Sequence, residues 1–156
     1  MTDSPWQQAE WITQSQIILD SFAKLMGREL IDRSGSQEEQ SQRLFEAPFV
    51  VVSHNTADDP ILNYGNKAAL NLWEANLETL LQMPSRKTAE PVHRDERAEL
   101  LRRVTENGFI DDYQGIRISA TGKRFQIDQA IVWNLTDADD NPAGQAATFS
   151  EWEMLV

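Results

Sequence analysis

Arg124-Phe125-Gln126-Ile127-Asp128-Gln129-Ala130-Ile131-Val132-Trp133 is the stretch that decides the fold. Its odd positions run Phe125, Ile127, Gln129, Ile131, Trp133, and its even positions run Arg124, Gln126, Asp128, Ala130, Val132. A period of two marks a strand with one buried face. Gln129 stands in the apolar row. A buried amide without partners costs about 1–3 kcal/mol, so an inward Gln129 must bond to neighbouring protein or to a bound small molecule.

The segments on either side extend the pattern. Ile110 to Ser119 reads as the preceding strand, with a turn at Thr121-Gly122. Ala143 to Trp152 reads as the following strand, after a turn at Asp137 to Pro142. A two-residue loop at Thr121-Gly122 puts Ile118 opposite Phe125, Ile116 opposite Ile127 and Gln114 opposite Gln129. Two amides then meet on the inward face, bonded to each other or to a ligand, among Trp133, Ile131 and Phe125. Arg117, Arg124, Gln126 and Asp128 fall on the other face as solvated pairs. Ala130 and Val132 on that face need a cover, and the first helix is the natural candidate.

Towards the N-terminus, Ser4-Pro5 signals a helix start, and Gly27 suits its stop. Between them Trp11, Ile12, Ile18, Leu19, Phe22, Leu25 and Met26 form one apolar stripe. A loop at Ser34-Gly35-Ser36 leads to a short helix ending near Leu44-Phe45. Strands are expected at Phe49 to Ser53 and Ile61 to Tyr64. Asn66 caps a helix from Lys67 to Ala75, Leu77 to Leu81 is a further helical turn, and Pro84 to Pro91 is an ordered loop. His93 to Asn107 is a charged amphipathic helix with Ala98, Leu101 and Val104 inward, ended by Gly108. This order implies an α+β fold: a PAS-like five-stranded antiparallel sheet with helices on one face and an added N-terminal amphipathic helix. Residues 1–46 read as the helical extension and 47–156 as the domain. A pocket is expected between the sheet and the helical insert.

The chain has 156 residues, enough for one domain with a real core. Its net charge of −11 repels phosphate backbones and anionic lipid, which argues against nucleic-acid and membrane partners. There is no cysteine, which excludes disulfides, thiolate catalysis, cysteine-zinc sites and cysteinyl-flavin photochemistry. No secretory signal is visible, and no apolar run approaches the ~20 residues that span a bilayer. A cytoplasmic protein is the expectation.

Catalytic constellations are sparse. Ser53 and His54 are adjacent in a strand and point to opposite faces. There is no nucleophile elbow, phosphate-binding loop or dinucleotide fingerprint. His54 with Asp58 and Asp59 lacks metal-ligand spacing, and Asp111-Asp112 and Asp139-Asp140 read as turn carboxylates. Arg86, in the Pro84 to Pro91 loop, is placed either to grip an anionic group at the pocket mouth or to serve a structural connector. Trp73 and Trp133 belong to the core or to the body of a ligand site. Gln145 and Thr148 lie on opposite faces of the last strand. The candidate binding set is Gln129, Gln114, Trp133, Trp73, Arg86 and His54, with no catalytic or metal residue assigned. The leading expectation is a non-catalytic sensory or small-molecule-binding module. The alternatives are a small enzyme with His54 or His93 as acid–base group, or an interaction domain with a filled core.

Several segments carry a family resemblance: Ser53-His54 with Asp59-Pro60; Asn63-Tyr64-Gly65-Asn66; Pro84-Ser85-Arg86 with Thr88-Ala89-Glu90-Pro91; Ile110-Asp111-Asp112-Tyr113 with Gly115 and Arg117-Ile118-Ser119; Arg124-Phe125; Val132-Trp133-Asn134; and Gly144 to Phe149. Over about Ala47 to Trp152 the chain resembles the MEKHLA domain family, a PAS-like module, in its stand-alone bacterial form. The resemblance implies the fold and a role in sensing small-molecule, redox or light-related signals. It assigns no ligand, cofactor or catalytic residue. With no homeodomain or zipper in the sequence, DNA binding does not carry over. A signal would pass through a partner or a homodimer, and the first helix, with Trp11, Ile18 and Phe22, is the expected dimer surface.

Overall fold

A computed structural model describes residues 4–89 and 94–155 of the chain. The expected loop end at Glu90-Pro91 and the helix start at His93 lie outside the described residues. A single 3-10 turn, Pro5–Gln7, leads into α1 (Ala9–Met26), which Gly27 stops in the left-handed conformation at φ 71°. In α2 (Gln37–Phe45) a reciprocal capping box links Ser36 and Glu39. Next come β1 (Val50–His54), β2 (Leu62–Gly65), α3 (Lys67–Trp73), α4 (Leu77–Leu80), a 3-10 turn Ser85–Thr88 and α5 (Arg94–Asn107). The chain closes with β3 (Phe109–Ile118), β4 (Arg124–Thr136), β5 (Pro142–Phe149) and β6 (Glu151–Met154). The sheet is antiparallel in the order β2-β1-β5-β4-β3, and β6 continues β5 along the first half of β4. No helix among the described residues is long and apolar enough to cross a membrane.

Both faces of the sheet are covered. α1 and α2 lie on one face, where Trp11, Ile18, Leu19 and Phe22 pack with Val51, Tyr64, Trp133 and Leu135. The stripe expected to form a dimer surface is therefore buried in the chain's own core: Trp11, Ile18 and Phe22 are not available at the surface. The other face carries the insert, where Leu72, Trp73 and Leu80 meet Val50, Phe125, Ile127 and Phe149, and Leu100 and Val104 of α5 meet Val132.

Besides a register shift of β3 between Ile110 and Tyr113, two local features of β3 and β4 depart from the expected pattern, and both reposition the site. First, the hairpin loop has three residues, not two. Ser119 N donates to Lys123 O at 2.8 Å, and Gly122 takes φ +90°, as a type I turn followed by a glycine bulge requires. The register becomes Ile118↔Arg124 and Arg117↔Phe125, one residue from the expectation. A slip of one flips every side chain of the strand to the other face. Gly115, Arg117 and Ser119 point inward and are buried, while Gln114 is exposed and donates to Asp128 Oδ1 at 2.6 Å.

Second, β4 bulges at Gln129. Tyr113 pairs with Ala130 and Gly115 with Ile127, so Gln114 faces two residues, Asp128 and Gln129. Gln129 takes φ +53° and is exposed. It does not occupy the apolar row. The bulge resets the alternation: Phe125 and Ile127 face the insert before it, and Ala130 and Val132 face the insert after it. Trp133 and Leu135 turn to α1, where Phe22 meets Trp133 edge-on at 5.0 Å. Ala130 and Val132 are thus covered by the insert rather than by the first helix.

Candidate functional site

Strand alternation aims Val52 and His54 of β1 and Gln145, Ala147 and Phe149 of β5 at the insert. There they border a cavity of ≈ 80 Å³ between the sheet, the Ser85–Thr88 turn and α5. At ~30 Å³ of liquid volume per water, that is room for two or three waters or one small molecule. Most of the wall is apolar, from Leu62, Trp73, Leu100, Ile127, Ala130 and Val132.

The polar wall has two parts. One is His54 and Gln145, paired across β1 and β5, with Gln145 anchored in turn by Asn134 of β4 behind the cavity lining. Gln145 Nε2 lies 3.0 Å from Asn134 Oδ1, 3.0 Å from Thr105 Oγ1 and 3.2 Å from Leu101 O, and Asn134 Nδ2 donates to Val104 O at 3.0 Å. These bonds fix the C-terminal half of α5 to the sheet. His54 Nδ1 lies 2.9 Å from Asn55 O, so Nδ1 carries the proton, and Nε2 is buried without a well-formed hydrogen bond among the described residues. Burial holds the imidazole pKa below its usual value, and the positive charge of Arg97 adds to the shift. The Asn55 carbonyl and the Gln145 amide oppose it without reversing it.

The other part is a pair of arginines, Arg97 of α5 and Arg117 of β3, each only 8 % exposed. Arg97 donates to Ser85 Oγ. Arg117 donates to Tyr113 Oη at 2.8 Å and to Ile116 O at 2.9 Å. Among the described residues no carboxylate lies within 4.0 Å of either guanidinium. Burial, and then repulsion from Arg117, pushes the Arg97 pKa down to about 10. Asp59 acts on Arg97 only through space, because its carboxylate is bound to Arg86 at 3.1 Å. Gly115 leaves the space that the Tyr113 hydroxyl fills: a Cβ there would overlap it.

Of the residues expected at a pocket, Trp73 and His54 line the cavity. Gln129 and Gln114 point to solvent, Trp133 packs under α1, and Arg86 is exposed in its ion pair with Asp59. His93 lies outside the described residues. Sequence patterning missed Arg97 and Arg117, yet both carry a signal. Arg97 precedes Leu100, Leu101 and Val104 at helical spacing, on the face that α5 buries. Arg117 alternates with Tyr113, Gly115 and Ser119. Gln145 is the member of its strand that faces the cavity, while Thr148 turns away and donates to Val50 O at 2.8 Å.

Comparisons with known proteins agree with this fold. The model of the MEKHLA domain matches residues 12–154. The homeobox-leucine zipper protein REVOLUTA of Arabidopsis thaliana is 24% identical over 152 residues, covering 94% of this chain and 18% of its own. HOX10 of Oryza sativa subsp. japonica is 22% identical over 148 residues, covering 94% of this chain and 17% of its own. The chain thus spans under a fifth of the length of these relatives. Among solved structures, a PAS domain from Colwellia psychrerythraea superposes with a TM-score of 0.62 at 12% identity, over 76% of this chain and 95% of that one. A light-oxygen-voltage domain, described in a study of a flavin analogue, gives 0.55 at 18% identity over 76% and 85%. The light-state dimer of the fungal blue-light photoreceptor Vivid gives 0.58 at 11% over 86% and 93%. The segments that suggested the resemblance converge on one place: His54, Ser85, Thr88, Tyr113, Arg117 and Gln145 all border the cavity. With this fold, and a match running from α1 to β6, the chain belongs to the MEKHLA domain family.

Proposed function

We propose that this chain is a non-catalytic sensory module that binds a small molecule in the cavity between the sheet and α5 and passes the change on through partner or dimer contacts. The observation that carries this reading is the buried arginine pair. Neither guanidinium has a counter-charge within 4.0 Å among the described residues. A buried charge in that state costs several kcal/mol, and most of the pair's hydrogen-bonding capacity is left over after the bonds to Ser85, Tyr113 and Ile116. A wall of that kind suits a ligand better than it suits a closed core. Phe149 gives the cavity a route outward: it lines the cavity and meets the exposed Trp152 of β6 edge-on at 5.9 Å.

A flavin, which one structural neighbour's study names, does not fit here. The ≈ 80 Å³ cavity is well below the ~300–1,000 Å³ of pockets for larger ligands, and the chain has no thiol to form an adduct. General-base chemistry is the second reading, favoured by the Nε2 of His54 on the same wall, which has no well-formed hydrogen bond among the described residues.

Ligand-observed NMR with a set of neutral and anionic fragments tests the first reading, using the wild type and the cavity-filling variants Ala130→Phe and Ala147→Leu. Fragments that bind the wild type and are excluded by either folded variant are expected. Fragments that bind all three proteins alike, or none, would overturn it. Conversion of a bound fragment, lost in His54→Gln, would favour the enzyme.

A further inference from the structure

We propose that the ligand of this cavity is a small organic monocarboxylate, its carboxylate held between Arg97 and Arg117 and its carbon chain laid against the apolar wall. The proposal rests on the cavity being a binding site, as above, and adds the chemical class.

The donor and acceptor inventory points to an anion. Arg97 spends one described bond on Ser85, and Arg117 spends two, on Tyr113 and Ile116. A guanidinium offers five N–H donors, so most of this capacity is left over. The Ser85 hydroxyl accepts from Arg97, which leaves its own hydrogen free to donate. Trp73, buried in the same wall, has an Nε1–H with no partner among the described residues. The unprotonated Nε2 of His54 in the same wall apart, these groups donate, and a ligand whose polar end only accepts matches them. The chain carries 25 acidic residues, yet none of the described ones is placed within 4.0 Å of this pair.

Size and polarity narrow the class. A guanidinium fork matches a carboxylate in plane and spacing. Beyond the two arginines the wall turns apolar at Leu62, Ile127, Ala130 and Phe149. An inorganic anion would hold charged oxygens against that surface. A carboxylate sends a hydrocarbon tail there. The ≈ 80 Å³ limits that tail to a few carbons.

Calorimetry and thermal melts of the full chain with formate, acetate, propionate and butyrate test this, beside propionamide, nitrate and phosphate. One or more of the alkyl carboxylates should bind saturably at one site and raise the melting temperature. Arg97→Met and Arg117→Met should each weaken that binding about tenfold to a hundredfold, the range for a lost charge-assisted pair. Arg97→Lys and Arg117→Lys, which keep the charge and lose the fork, keep the test open if a methionine variant does not fold. They too should bind more weakly. Carboxylate binding unchanged in all four variants, or matched by nitrate or phosphate, would overturn the proposal. If propionamide binds and the carboxylates do not, the cavity is a binding site of another class and this inference alone falls. If no probe binds, both fall.

Discussion

The Tyr113 hydroxyl accepts a hydrogen bond from Arg117 at 2.8 Å, while the Arg117 guanidinium carbon lies 5.3 Å from the centre of the same ring. One side chain thus supplies both an acceptor and a π-face to a buried cation. Removing the hydroxyl leaves the ring and strips Arg117 of its side-chain acceptor. Tyr113→Phe should lower stability by about 1–3 kcal/mol, the cost of leaving a buried donor unpaired. Urea denaturation of both proteins checks this. No change in midpoint would mean that Arg117 finds another acceptor.

Arg97 predicts the opposite sign. It is buried beside a like charge, and its cation is disfavoured by burial first and by Arg117 second. Arg97→Met keeps the stem that packs beside Leu100 and removes the charge. Replacing buried ionic groups with apolar side chains of similar volume gains about 1–4 kcal/mol in other proteins. The variant should unfold at a higher urea concentration than the wild type without ligand. A lower midpoint would show that the charge is compensated inside the folded chain.

Gln129 sits in the left-handed region at φ +53° with its side chain in solvent. A non-glycine residue pays roughly 1–2 kcal/mol for that conformation, and glycine pays little. Gln129→Gly should therefore stabilise the chain by about 0.5–1 kcal/mol. Gln129→Val should destabilise it, since a branched Cβ is worst placed there. An inward Gln129 would give the reverse order, so chemical denaturation of the two variants decides between the geometries.

The order of strands and helices along the chain and the helix stops were legible because each rests on local signals: alternation, capping residues and glycines. The interior of the site was not, because it depends on one residue of hairpin length and on register shifts in β3 and β4. Thr121-Gly122 looks like a two-residue turn, and only the pairing of Ser119 with Lys123 shows that Ala120 joins the loop. That single residue moves Arg117 from water to the cavity and Gln114 the other way. The β4 bulge turns Gln129 out to solvent and carries Trp133 to the face that α1 covers. Alternation reports that a strand has two faces, but a bulge exchanges them without changing composition. Arg97 was hidden by its charge and by the phase of its helix: the stripe was expected at Ala98, Leu101 and Val104, whereas Ala98 is exposed and α5 buries Arg97, Leu100 and Val104.

His54 gives a pH dependence with a defined sign. Its folded pKa lies below the ordinary 6.5, because burial disfavours the imidazolium. Between the folded value and 6.5 the unfolded chain takes up a proton that the folded chain refuses, so stability falls as pH drops through that window. The contribution is fully present above the unfolded value and is gone below the folded one. Urea midpoints from about pH 7.5 down to about pH 5 should fall more steeply in the wild type than in His54→Gln. Equal slopes would mean that the ring takes up its proton as readily folded as unfolded.

Phe22 and Trp133 meet edge-on at 5.0 Å, both fully buried between α1 and β4. The amphipathic stripe of α1 could have been consumed in one of two ways, within the chain or between copies, and the two predict different concentration dependence. Phe22→Ala leaves a cavity beneath the helix and should cost about 3–5 kcal/mol, as for other buried phenylalanines. Because the contact is intramolecular, the loss should be the same at low and high protein concentration. Stability tied to a dimer would rise with concentration, and the variant would weaken association as well. Urea unfolding of wild type and Phe22→Ala over a hundredfold range of protein concentration reads out the difference. A midpoint that moves with concentration in the wild type but not in the variant would place this stripe between two chains.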